Sequence, residues 1–204
     1  MRLRVAAVLL LAGMLQACML TADRPLFAPA DGDPAFIMKQ GLWAVRDPDC
    51  KADPAKTSPR RKSCIEWLRV SHAQDGAWVM SDSAGEEEVR GVFVAAVAHE
   101  AGSLASVYAG EFLSEGDTEP AYVVVAPQAG PEGFVTRITY ESVPCSVTDT
   151  PNPPIVGVAL QRNEEGSVSG CKAETKEAVL EAARRAALDA LPEFGRYRIE
   201  YVRP

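Results

Sequence analysis

The chain has 204 residues, with 21 Lys and Arg against 28 Asp and Glu, a formal charge of −7 and a pI near 5.0. Hydrophobic residues make up 47% and charged residues 24%, the balance of a globular chain rather than a disordered one, and the length suits one compact domain. The acidic balance excludes a general nucleic-acid binder, which needs a basic footprint.

Residues 1–17 read as a leader rather than as part of the fold. Arg2 and Arg4 precede an uncharged, mostly apolar run over 5–15. That run is shorter than the ~20 residues needed to span a bilayer, and it leads into Leu15-Gln16-Ala17-Cys18. The segment resembles the signal of bacterial lipoproteins, in which a Leu, two residues ending in Ala or Gly, and a modified Cys stand in register. An ordinary secretory signal fits less well, because Leu15 stands where a small residue is preferred. The resemblance implies cleavage before Cys18, a diacylglyceryl thioether on its sulfur and acylation of its amine. With Met19 rather than Asp in the next position, it also implies the outer membrane. Two or three acyl chains hold where one anchors only marginally. Removing Arg2 and Arg4 leaves 19 cationic and 28 anionic side chains, or −9. The lipid, not a basic patch, is then the membrane attachment. Residues 18–37 contain Pro25, Pro29 and Pro34 and no periodicity. They read as a lipidated tether about 25 Å in mean reach, ahead of a single β-rich domain over 38–204.

With Cys18 lipidated, Cys50, Cys64, Cys145 and Cys171 remain. An even count in an exported chain reads as two disulfides. Of three formal pairings, Cys50–Cys64 and Cys145–Cys171 each enclose a Pro-containing, loop-like stretch. The alternative, a four-cysteine zinc site, lacks a C-x2-C pair. No metal or cofactor is expected.

Strand signals fill the domain over 41–46, 65–71, 77–81, 92–98, 104–113, 121–126, 134–141, 155–160 and 196–202. Asp75-Gly76 suggests a hairpin between the second and third. The three consecutive valines of 121–126 suit a strand buried on both faces. Residues 134–141 alternate, with Phe134, Ile138 and Tyr140 on one face and Val135 breaking the pattern. Residues 174–191 predict one helix, rich in Ala, Glu, Arg and Leu, with an apolar stripe of Leu180, Ala183, Ala187 and Leu191 and a Glu181–Arg185 pair. The fold class is therefore a β-rich α+β domain: an antiparallel sheet or barrel of about eight strands, one C-terminal helix and a final strand. Helix and final strand are expected to cover one side of the sheet together. Gly41-Leu42-Trp43 resembles the G-x-W element that opens the lipocalin barrel, and a helix before a last strand is similar to that family's order. The family's Thr-Asp-Tyr element is not found, because Thr148-Asp149 is followed by Thr150. The resemblance implies a barrel that carries a small hydrophobic ligand.

Catalytic signals are sparse. His99-Glu100 starts H-E-x-x-H, but Ser103 stands where the second His is needed. The chain contains no G-x-S-x-G, no phosphate-binding loop and no dinucleotide fingerprint. Ser58 to Ser63 reads as a basic loop, Glu86-Glu87-Glu88 as an acidic turn, and Trp43, Trp67 and Trp78 as core with a pocket-lining alternative. The sequence thus reads as a non-catalytic binding or assembly module anchored in the cell envelope, facing the periplasm. Its partner is the membrane, and beyond that an envelope protein or a small apolar ligand. A ligand carrier and an envelope hydrolase using His72 or His99 are the alternatives.

Overall fold

In the computed structural model, the residues described are 19–46, 49–59, 64–82, 84–85, 88–149, 152–190 and 197–204, with backbone alone for 188–190. The leader, Cys18, most of the basic loop, Glu86, Glu87, Leu191 and the connection to the last strand lie outside them.

The described residues form eleven strands in chain order. They are β1 (Leu20–Thr21), β2 (Gly41–Arg46), β3 (Ile65–His72), β4 (Trp78–Asp82), β5 (Glu88–Ala95), β6 (Tyr108–Ser114), β7 (Ala121–Ala129), β8 (Val135–Ser142), β9 (Val158–Arg162), β10 (Val168–Ala173) and β11 (Tyr197–Arg203). The helix α1 spans Lys176–Ala190, between β10 and β11. From β2 to β8 each strand pairs antiparallel with the next, and β11 closes the circle between β8 and β2. The result is a closed, eight-stranded antiparallel barrel, which leaves no free edge around its circumference. Strand β1 lies beside β7 where β8 has ended and adds β10 and β9 outside the barrel.

The period-2 pattern of each stave sorts its residues between two cores. Inward-facing Trp43, Val45, Val70, Trp78, Met80, Phe93, Tyr108, Val123, Val125, Ile138 and Ile199 form one buried cluster. Two glycines make room for its rings. A Cβ on Gly91 would stand 3.0 Å from Phe112, and one on Gly110 would stand 3.2 Å from Phe93. Outward-facing Val92, Ala109, Tyr122 and Val124 join α1 in a second cluster through Ala178, Val179, Ala182, Ala183, Ala186 and Ala187. Thr175 caps the helix by accepting the Ala178 N–H at 3.2 Å. Small side chains along the helix, with Ala109 on the wall, let the helix lie close to the barrel. The expected stripe is displaced accordingly: Ala183 and Ala187 are buried, while Leu180 is only partly so. Glu181 does hold Arg185 at 2.8 Å.

Both cystines form, Cys50–Cys64 and Cys145–Cys171. The first brings Cys50 and Ala52 onto the outer face of β2 and β3, where they pack with Leu42, Ala44, Ile65 and Trp67. The second ties the turn after β8 to β10.

Two expectations fail. Helix and last strand do not lie together on one side of a sheet: β11 is a stave of the barrel, and α1 rests on β6 and β7. Nor do the described residues of the tether, 19–37, hang free. Leu20, Ala22, Phe27 and Phe36 are each no more than 4% exposed. Their irregular spacing hides this in the sequence, because an extended segment that fills separate niches has no period.

Candidate functional site

Residues 28–40 run as a strap across one mouth of the barrel. That mouth is formed by the β3–β4 hairpin, the ends of β5 and β7 and the starts of β6 and β8. The hairpin turn predicted at Asp75-Gly76 is present, with the Ala73 N–H on the Ala77 carbonyl at 2.9 Å. Beyond Trp78, strand β4 no longer covers β5, and the strap takes its place: the Asp33 N–H donates to the Phe93 carbonyl at 2.9 Å. At the far side the strap pairs with β8, with the Val135 N–H on the Ile37 carbonyl at 2.7 Å and the Lys39 N–H on the Val135 carbonyl at 3.0 Å. Trp43 Nε1 donates to the Lys39 carbonyl at 2.8 Å. The chain then turns sharply into β2 at Gly41, whose φ is +132° and whose absent Cβ would meet the Arg203 carbonyl at 2.5 Å. Only glycine fits there.

Between these anchors the strap lowers Phe36 and Met38 into the barrel. Phe36 stacks on Phe93 at 4.3 Å and meets Tyr108 edge-on at 4.7 Å. Ionic contacts hold the strap from outside. Asp33 accepts from Tyr108 Oη and His99 Nε2, both at 2.9 Å, and from the Ala35 N–H at 2.8 Å. Burial, with the Asp33 carboxylate beside it, pushes the Tyr108 phenol far above its usual range, so it remains a donor. Asp31 binds Lys176 of α1 at 2.7 Å, and that hydrogen bond holds its carboxyl below the ordinary value. Lys39 binds Glu132 at 2.5 Å. Upstream, the buried Glu111 accepts the Leu26 and Phe27 N–H groups at 2.7 and 3.1 Å and Tyr122 Oη at 2.8 Å.

Above the strap opens a half-open pocket of about 670 Å³. Its apolar lining includes Pro34, Phe36, Met38, Trp78 and Phe93, and Ile37 and Phe134 stand at its lip. Among the described residues, Ile37, Phe134 and Val156 are the exposed large hydrophobics, so two of the three border this pocket. Its charged members are already engaged: Asp33 and Lys39 as above, and Asp75 with Arg90. His72 lies against Trp78, ring centroids 4.6 Å apart, with Nε2 3.2 Å from the Gly76 carbonyl.

Of the tryptophans weighed for a pocket, only Trp78 reaches it; Trp43 is interior and Trp67 lies under the first cystine loop. The two histidines sit near the same strap. Among the described residues, their hydrogen bonds go to a backbone carbonyl and a carboxylate, and none brings a serine hydroxyl or cysteine thiol to either ring. No group of three or more His, Cys, Asp or Glu among the described residues is arranged to hold a metal ion. Sequence reasoning missed Ile37, Phe134 and Asp33. A Phe at a Gly-bounded hairpin tip, Gly133-Phe134, was the one available signal. The fold is that of a closed antiparallel barrel with a strapped mouth. Comparison with known proteins finds no match: no family model, no curated protein and no solved structure is similar to this chain.

Proposed function

We propose that this protein is a non-catalytic binding module of the bacterial cell envelope, anchored in the outer membrane through lipid on Cys18 and facing the periplasm, and that its mouth pocket binds a small, neutral, apolar ligand. The anchoring part rests on the lipobox-like 15–18 segment, and the two cystines suit an oxidising compartment. The pocket part rests on one observation: an apolar, strap-floored pocket of about 670 Å³ whose neighbouring charges are already paired. That volume lies within the roughly 300–1,000 Å³ of small-molecule sites. An ionic ligand would compete with Arg90, Glu132 or His99 for a charge, whereas a neutral one gains from apolar burial alone. The inward-facing side chains of the barrel form a packed cluster, so a carrier role would use the mouth rather than a central cavity.

The test is a matched pair of fluorophores, neutral N-phenyl-1-naphthylamine and its sulfonated, anionic counterpart 8-anilinonaphthalene-1-sulfonate. The neutral probe should bind more tightly. Replacing Ile37 and Phe134 together by Ser should weaken it about tenfold, the value of two partly buried apolar side chains, with little change in Tm. Equal binding of the two probes, or binding unaffected by the double substitution, would refute the pocket assignment. Unchanged membrane attachment and mature mass in Cys18→Ala would refute the anchor.

A further inference from the structure

We infer that the lipid on Cys18 joins the folded body without a tether, so that the corner formed by β1, β10 and the Cys145–Cys171 cystine rests against the bilayer surface. This inference rests on the anchoring proposed above. Position 18 is followed by a backbone that is fixed from its next residue. Met19 forms a β-bridge with Pro144. Leu20 is fully buried, donates its N–H to the Val143 carbonyl at 2.9 Å and lies opposite Cys171. Thr21 is held between Lys172 and Ala121. Ala22 is buried, and Glu111 grips the Leu26 and Phe27 amides. A loose chain of about 20 residues would let the body wander by ~25 Å. A single residue spans at most about 3.6 Å. The acyl chains must enter the bilayer at Cys18, so the protein surface around Met19 and Pro144 has nowhere to lie but at the headgroups.

Lys172 is shared by Asp23 and Glu119, and Arg24 stands next to Asp23, so these four side chains carry no net charge. Strand β8 runs from the strap at Val135 to this corner beyond Ser142, so the mouth pocket lies at the opposite end of the barrel from the lipid.

The experiment uses the lipidated full-length product, with the lipid on Cys18 verified by mass, in phosphatidylcholine vesicles carrying a dansyl-labelled phosphatidylethanolamine. Wild type is compared with a variant that has a Gly-Ser spacer of about 12 residues between Cys18 and Met19, a reach of ~20 Å. Proteinase K should release the spacer variant's body from the vesicles at least about tenfold faster than wild type, because folded backbone resists cleavage. Energy transfer from tryptophan to dansyl should fall by about half or more when the spacer is present. With lipid on Cys18, equal release rates or equal transfer would overturn the inference. A Cys18 without lipid would instead overturn the anchoring reading, and this inference with it.

Discussion

The barrel interior and the layer beneath the helix are both hydrophobic cores built on the same strands, yet they are filled in opposite ways. Inside, a closed circle of staves leaves a fixed volume, and Trp43, Phe36, Phe93 and Tyr108 occupy it. Outside, the gap between wall and helix adjusts to its contents, and alanines bring the two surfaces together. Bulk stabilises the first core and smallness the second. The N-terminal segment belongs to both: Leu20, Ala22 and Phe27 serve the outer layer, while Phe36 and Met38 close the inner one.

That contrast can be broken most forcefully at Trp43, which is fully buried in the interior. Trp43→Ala should cost about 3–5 kcal/mol in urea unfolding; a cost below about 1 kcal/mol would mean the interior is not a close-packed unit. Next comes Glu111, among the described residues the one buried carboxylate of the outer layer. Glu111→Leu strands two backbone N–H groups and the Tyr122 hydroxyl, for an expected loss of about 2–3 kcal/mol. Hydrogen exchange should quicken at residues 26 and 27 in the same variant. In the alanine layer the sign of a size change reverses: Ala183→Leu, which would be harmless on an open helix face, should destabilise by about 1–2 kcal/mol through overpacking.

The smallest effect is expected at Glu66, an inward position opposite Val45 near the unstrapped end of the barrel. Burial raises its carboxyl above the ordinary value. An acid whose pKa is higher folded than unfolded favours the fold while protonated and loses that advantage as pH rises through the folded value. Glu66→Gln should therefore raise Tm slightly near pH 7, and the gain should disappear below about pH 4, the range of an ordinary glutamate. A gain that persists at low pH would show that the carboxylate is not the cause.

Local pattern was legible in the sequence. Valine runs and alternating aromatics mark β7, β8 and β11, and the alanine-rich stretch marks α1. Apart from the Asp75-Gly76 hairpin, what could not be read is which strands meet. Nothing in Tyr197, Ile199 and Tyr201 says that their strand closes a barrel between β2 and β8, because the partners lie far away in the chain. Strand β1 is two residues long and β10 contains Gly170, so neither carries a periodic signal. The strap was hidden for the same reason, since its prolines and isolated hydrophobics look the same whether they are solvated or docked. The candidate site shares that fate. Its floor is Phe36 and Met38, its lip Ile37 and Phe134, and its latch Asp33 with His99. Each is unremarkable alone, and only the fold assembles them.

The most direct measurement follows the methyl resonances of isoleucine and methionine while N-phenyl-1-naphthylamine is added to the folded protein. The strapped-mouth pocket should move the signals of Ile37 and Met38 and leave Ile155, in the outer layer, and Ile65, beneath the first cystine loop, in place. Shifts centred on Ile155 or Ile65 with Ile37 and Met38 unmoved would contradict it.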